Sequence, residues 1–130
     1  PLQLLIVDHP MGPAAVLADT LARVVGSRIA ITVVEDHMDA LDAAINCGFD
    51  AALVGVEADP LQLTVVPHLH VRAPDLPVLV VGRHLSEAQA DHARRFGARD
   101  ALTLPQRAVD LRRLAGRLVA RYSTTAARAC

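Results

Sequence analysis

Acidic and imidazole side chains follow two short apolar runs of the sequence. Asp8 and His9 come directly after residues 4–7, and Glu57 follows the run that ends at residue 56. Carboxylate oxygens and imidazole nitrogens are reasonable ligands for a divalent metal. If the two runs end side by side, Asp8, His9 and Glu57 could bind such a metal, but a hydrogen-bonded cluster without metal is the interpretation that we favour.

A second group of charged residues lies near the C-terminus. Arg113, Arg117 and Arg121 recur at four-residue spacing, which places them on one face of a helix. A charged stripe opposite an apolar one is usually the solvated side of a helix, and we favour that interpretation. The remaining histidines have no convincing ligand spacing and are expected at the surface; they are His37, His68, His70, His84 and His92.

Five short apolar runs are typical of strands buried in a sheet. They cover residues 4–7, 29–34, 51–56, 78–81 and 101–104. The segments between them have apolar residues at helical spacing. The first two of these helices are indicated by Leu17, Leu21 and Val24 after Pro13, and by Met38, Leu41 and Ile45 before Gly48.

The sequence signals for the three later helices differ in strength. Residues 64–67 contain Pro67 and predict a short or kinked third helix. The fourth has a capping box at Ser86 and Gln89, a hydrophobic staple between residues 85 and 90, and Gly97 at its end. The fifth places Leu111, Leu114 and Leu118 on one face, opposite the arginines.

Alternating strands and helices require crossover connections, which predict a parallel sheet with helices on both faces. The chain of 130 residues, with 52% hydrophobic residues, is expected to form one α/β domain over residues 1–122, followed by a linker or tail over 123–130.

Ligands of such folds bind beyond the carboxyl ends of the strands. That edge contains Asp8, Gly55, Gly82 and Leu104.

Composition excludes several classes of partner. The formal net charge is −1, and the aromatic residues are only Phe49, Phe96 and Tyr122, so we expect no direct contact with nucleic acid. No apolar run approaches the roughly 18 residues of a membrane span, and the N-terminus has no signal-peptide pattern. We therefore expect a cytoplasmic domain without a membrane partner.

The order of these motifs resembles the receiver domain of response regulators in two-component signalling. The resemblance extends over nearly the whole chain, through residues 4–8, 77–81 and 96–105. Residues 7–10, Val-Asp-His-Pro, are most similar to receivers that precede LuxR-type helix-turn-helix domains, although one of two acidic residues is missing. The resemblance implies a flavodoxin-like (CheY-like) fold with five parallel strands in the order 2-1-3-4-5 and five helices.

The positions that perform phosphorylation in this family are substituted here. The resemblance places Gly55 at the phosphoacceptor aspartate, Gly82 at the Ser or Thr that binds a phosphoryl oxygen, and Leu104 at the lysine. Ala101 stands at the aromatic switch position, and the magnesium site is reduced to Asp8 with His9 beside it.

Phosphoryl transfer depends on positioning and charge neutralisation, so this degenerate pocket is predicted to accept no phosphate. Asp50, expected at the opposite end of the sheet, and Asp59, in a loop before Pro60, are poor substitutes for the acceptor. Residues 8–12 also resemble the Asp-x-His-x-x-Gly cobalamin motif. The residue between Asp8 and His9 is missing, so we expect neither cobalamin nor any other cofactor.

The resemblance therefore implies a non-enzymatic pseudo-receiver that acts as a protein-interaction or dimerisation module and regulates an attached output domain. Its expected interface is the fourth helix, fifth strand and fifth helix, with Ala90, Arg113, Arg117 and Arg121. Some degenerate receivers bind a small anionic ligand such as cyclic di-GMP, which is the alternative function. A phosphate-accepting response regulator ranks last.

Overall fold

The computed structural model describes residues 2–56 and 64–122. Strands and helices alternate along the chain, as the apolar pattern predicts. The elements are β1 (Leu2–Val7), α1 (Pro13–Val25), a 3-10 turn (Gly26–Arg28), β2 (Ile29–Val34), α2 (His37–Asn46), β3 (Ala51–Val56), α3 (Val65–Arg72), β4 (Val78–Gly82), α4 (Glu87–Arg95), β5 (Asp100–Thr103) and α5 (Ala108–Tyr122).

The five strands form one parallel sheet in the order β2-β1-β3-β4-β5. This is the flavodoxin-like, CheY-like fold, and the predicted fold class is confirmed. The order places β3 near the centre, where all six of its residues are buried. β2 and β5 form the two edges, and no residue of either strand is fully buried.

The core has two layers, one on each face of the sheet. Successive side chains of a strand point to opposite faces, so neighbouring residues belong to different layers. Leu5 and Val54 pack with α2, α3 and α4, whereas Ile6 and Leu53 pack with α1 and α5. Burial on both faces explains why the central strands read as continuous apolar runs.

Several local predictions are confirmed. The capping box of α4 is present: Gln89 N–H donates to Ser86 Oγ at 3.1 Å, and Ser86 N–H donates to Gln89 Oε1 at 3.0 Å. Gly97 follows α4 with a φ of 114°, which favours glycine. α3 is short, at eight residues, and Pro67 lies in its first turn, where a helix needs no N–H donor.

The predicted apolar face of α2 is wrong in part. Met38 and Ile45 are 62% and 51% exposed, and the residue that is buried against the sheet is Ala40. Small residues allow α2 to lie close to the strands, so the larger side chains at other positions of the helix remain in solvent. Val24 at the end of α1 is also exposed, because the helix extends beyond the core.

No helix within residues 2–56 and 64–122 is long and apolar enough to cross a membrane. The predicted tail over residues 123–130 lies outside the described residues. Tyr122, the last residue of α5, is buried against the core layer formed with α1.

Candidate functional site

Asp8 lies at the carboxyl edge of the sheet, directly after β1, and is only 3% exposed. Its Oδ2 accepts hydrogen bonds from the N–H of Ala14 at 2.9 Å and of Ala15 at 3.3 Å, and Oδ1 accepts one from the N–H of His9 at 2.9 Å. The first N–H groups of a helix have no partner within the helix. Gly12 at the N-cap has no side chain to supply one. Asp8 therefore caps α1 from outside the helix.

The burial of Asp8 has an electrostatic cost. Desolvation raises the pKa of Asp8 above its ordinary value of 3.8, and this effect exceeds the lowering by the backbone N–H groups and by His9. Proximity to the positive end of the α1 dipole also favours a carboxylate at this position. The carboxyl group is thus fully engaged within the protein.

Two glycines leave the space that Asp8 fills. A Cβ atom at Gly12 or at Gly55 would overlap the carboxylate of Asp8. Neither glycine has a positive φ, so the requirement is for space and not for an unusual backbone conformation. Gly55 is also the residue that the sequence resemblance places at the phosphoacceptor position. The carboxylate of Asp8 lies directly against it.

The other three positions that the resemblance singles out also lie among apolar groups. A Cβ atom at Gly82 would lie 2.7 Å from Leu85 Cγ and 3.1 Å from the backbone oxygen of Val56, so Leu85 fills the place of a hydroxyl side chain. Leu104 follows β5, its N–H donates to Gly82 O at 2.8 Å, and its side chain packs with the α1 and α5 layer. Ala101 packs on the opposite face.

A small cleft of about 190 Å³ opens beside Asp8, toward β2. His9, Glu35 and His37 line it, together with residues of β1 and β3. His37 is half-buried, with Nδ1 at 3.4 Å from Thr64 Oγ1, so the prediction that it is exposed is wrong. The sequence could have indicated Glu35 and His37, because they directly follow β2 and therefore reach the same edge as Asp8.

A hydrogen bond closes the other side of the site. Arg83, which follows β4, donates from Nη2 to the backbone oxygen of Met11 at 2.8 Å. This contact joins the β4–α4 loop to the β1–α1 loop in front of the strand ends.

The structure describes only part of the cluster considered for metal binding. Asp8 and His9 lie next to each other, but Glu57 lies outside the described residues, as does Asp59. Within residues 2–56 and 64–122, no three His, Cys, Asp or Glu side chains are arranged to hold a metal ion. Asp50 lies at the opposite end of the sheet, as predicted, where its Oδ2 accepts a hydrogen bond from Gln3 N–H at 2.8 Å.

The predicted interface residues lie on α4 and α5. Ala90 is half-buried, whereas Arg113, Arg117 and Arg121 are exposed. Arg113 and Arg117 line a groove of about 720 Å³, and the other residues that line it are Pro105, Asp110, Gly116 and Ala120. Arg121 is separate from this groove and lies over the ring of Tyr122, at 5.6 Å from its centroid.

Comparison with known proteins shows similarity in structure and not in sequence. No sequence family and no characterised protein matches the chain. A response regulator in red light signaling of R. palustris aligns over 100% of this chain and 99% of its own, with a TM-score of 0.76 at 16% identity. An orphan response regulator of H. pylori aligns over 94% and 97%, with a TM-score of 0.70 at 20% identity.

A response regulator from Burkholderia pseudomallei, whose crystal structure contains a phosphorylated aspartic acid, aligns over 93% of this chain and 72% of its own. Its TM-score is 0.63 at 25% identity. The chain therefore has the fold of response regulator receiver domains.

We predict that Gly55→Ala destabilises the protein, because the added methyl group displaces the carboxylate of Asp8 from the start of α1. The expected loss is about 1–3 kcal/mol in the free energy of unfolding, measured by urea denaturation. In an Asp8→Ala background the same substitution should cost much less. Gly116→Ala is the control, since a Cβ there meets no atom within 4 Å, and it should not destabilise. Equal costs of Gly55→Ala in both backgrounds would contradict the packing of Asp8 against Gly55.

The raised pKa of Asp8 predicts a specific pH dependence. Between the unfolded value of 3.8 and the higher folded pKa, the folded state binds more protons, so the free energy of unfolding falls as pH rises through this window. Asp8→Asn should flatten the slope in the same window. Urea denaturation at a series of pH values measures both slopes, and equal slopes would show that Asp8 does not titrate as described.

Proposed function

We propose that this chain, which has the fold of a response regulator receiver domain, is a pseudo-receiver. It acts in signal transduction without accepting phosphate, as a non-enzymatic interaction module that regulates an output domain attached in its parent protein. One observation supports this most strongly. The space beside Gly55 is filled by the carboxylate of Asp8, which is already bonded to the N-terminus of α1.

The chemistry of the site supports the same proposal. A phosphoacceptor must offer a free carboxylate, and cationic or metal groups must neutralise the transferred phosphoryl group. Gly55 has no nucleophile, and neither Gly82 nor Leu104 has a polar side chain. Phosphorylation of Asp8 would displace either the hydrogen bond from His9 N–H at Oδ1 or the bonds from Ala14 and Ala15 N–H at Oδ2 that cap α1.

The surface formed by α4, β5 and α5, which we call the α4–β5–α5 surface, is the proposed docking site for a protein partner or a second copy. Gly116 and Ala120 form a floor of small residues on α5, and Arg113 and Arg117 stand beside it. A floor of small residues allows a partner helix to approach closely, and the arginines favour an acidic partner.

The same groove gives some support to a second function. Its volume of about 720 Å³ and its two arginines suit a small anionic ligand such as cyclic di-GMP. Asp110 lies in the groove as well, and its carboxylate opposes an anion. A dinucleotide must place its phosphates inside the groove beside Asp110, whereas acidic groups of a protein partner can contact Arg113 and Arg117 from outside it. We therefore prefer the protein partner.

The proposal predicts that the chain takes up no phosphate from acetyl phosphate or from a phosphorylated histidine kinase, because Gly55 stands in place of the acceptor. Intact-mass spectrometry measures this directly. A stable gain of one phosphoryl group on Asp8, Asp50 or Asp59 would overturn the proposal.

The matched variants are Gly55→Asp alone and the combination of His9→Asp, Gly55→Asp, Gly82→Thr and Leu104→Lys. The single change should restore neither magnesium binding nor a response to beryllofluoride. The new carboxylate lacks the second acidic metal ligand, in whose place His9 stands, and Gly82 and Leu104 supply no hydroxyl or ammonium group for the phosphoryl oxygens. Only the combined variant restores the set of groups that phosphoryl transfer requires. NMR chemical shifts report both responses.

For the docking surface, we predict that Arg113→Glu weakens binding of the partner and impairs the parent protein, because it places a negative charge in a groove that suits an acidic surface. Gly116→Ala is a smaller change in the same groove and should weaken binding less. Unchanged activity of the parent protein with Arg113→Glu would exclude the α4–β5–α5 surface as the docking site.

Titration calorimetry with cyclic di-GMP tests the second function.

A further inference from the structure

The two edges of the sheet differ in how they are protected against pairing with another strand. β5 has four residues, begins with Asp100, and is joined to α4 by the ion pair of Arg94 with Asp100, whose atoms are 3.2 Å apart. β2 has six residues, Ile-Ala-Ile-Thr-Val-Val, none of them charged and none a proline. All six pair with β1 in an unbroken register, so no bulge bends this edge away. Natural proteins often protect an edge strand with a charge, a proline or a bulge, and residues 29–34 contain none of these three.

The outer backbone groups of β2 can be identified from one hydrogen bond. Asp8 N–H donates to Val34 O at 3.0 Å, so the backbone groups of Val34 point toward β1. Consecutive residues of a strand direct these groups to opposite edges. The N–H and C=O groups of Ile29, Ile31 and Val33 therefore point outward, away from the sheet.

The side chains of the same three residues share one face. Ile29 and Ile31 pack partly against the layer formed by α1 and α5, and Val33 follows by alternation and is 48% exposed. Each outward-pointing backbone group thus has an apolar side chain beside it. An added strand would receive hydrogen bonds and apolar contacts from the same residues.

The charges at the ends of β2 are complementary to a second copy of β2. Arg28 directly precedes the strand, and Glu35 and Asp36 directly follow it; all three are exposed. Two copies that pair antiparallel bring the positive end of one strand to the negative end of the other. A parallel pairing would place like charges together, which is unfavourable.

We propose that β2 pairs antiparallel with β2 of a second copy, so that two five-stranded sheets become one continuous sheet of a symmetric dimer. The twofold axis passes through Ile31, and Ile29 lies opposite Val33 of the second copy. This register joins all three outward-pointing residues of each copy, and it places opposite residues on the same face, as antiparallel pairing requires.

This interface does not compete with the α4–β5–α5 surface. β2 and β5 are the opposite edges of the sheet. A dimer joined at β2 therefore has its two α4–β5–α5 surfaces at its outer ends, and it could bind two partners or one partner with two sites.

The test measures self-association of the chain by sedimentation equilibrium over a concentration series. Val33→Lys should weaken the dimer on the order of tenfold or more, because the ammonium group would lie opposite Ile29 and next to Arg28 of the second copy. Val71→Lys is the control, since Val71 is an exposed valine on α3, away from both edges. It should leave the dimer unchanged.

Amide hydrogen exchange on the unmodified chain gives a second measurement that needs no variant. The N–H groups of Ile31 and Val33 should become protected as concentration rises. The N–H of Thr32 points toward β1 and should be protected at every concentration, which makes it an internal control. A chain that remains monomeric, or exchange at Ile31 and Val33 that is independent of concentration, overturns the proposal.

The outcome also separates this interface from the proposed function. If Arg113→Glu dissociates the dimer and Val33→Lys does not, self-association uses the α4–β5–α5 surface and the β2 proposal is wrong. If only Val33→Lys dissociates it, the dimer forms at β2, and docking of a partner on α5 is tested separately by the binding of Arg113→Glu.

Discussion

The buried carboxylate of Asp8 at the start of α1 is the interaction on which the site depends. It satisfies two N–H groups of α1 that Gly12 cannot satisfy, and it does so at the carboxyl edge of the sheet, where an α/β fold normally binds a ligand. The helix and the strand end are joined through this one side chain. Space for it exists because positions 12 and 55 have no Cβ atom.

This arrangement gives a structural reason for glycine at position 55. The resemblance to receivers identifies Gly55 as the residue in place of the acceptor, but loss of a nucleophile alone would leave an empty pocket. In the structure the neighbouring acidic residue has taken that space, Leu85 covers Gly82, and Leu104 packs into the core. The space next to Gly55 is occupied from within, and a small cleft toward β2 remains open. This supports a role that depends on surfaces and not on phosphate chemistry at the site.

The two proposed interaction surfaces, the α4–β5–α5 surface and the β2 edge, differ in charge and shape. The proposed docking site on α5 has a groove with two arginines beside it, whereas the proposed pairing edge, β2, has no charged residue. The difference has a physical origin. A groove selects its partner through charge and shape, but an open strand edge binds through backbone hydrogen bonds, which any extended segment can supply. Complementary end charges at Arg28 and at Glu35 restrict that choice to one orientation.

The sequence by itself determined the fold, because buried parallel strands and amphipathic helices leave strong periodic patterns. The bounds of β2 and β3 and the capping box at Ser86 agree with the structure for this reason. The positions that the resemblance singles out as the site were also identifiable from the sequence, since they lie at or directly after the ends of strands.

Only the tertiary structure decided which groups fill that site. The capping by Asp8 joins residues six and seven positions apart, so no helix or strand period indicates it. The place of Glu35 and His37 after β2 indicates the same edge of the sheet, but only the strand order brings them beside Asp8. Exposure of β2 likewise follows from the strand order, which places this strand at the rim of the sheet, where fewer neighbours cover it. Exposure of Met38 follows from the burial of Ala40 on the face of α2 that packs against the sheet.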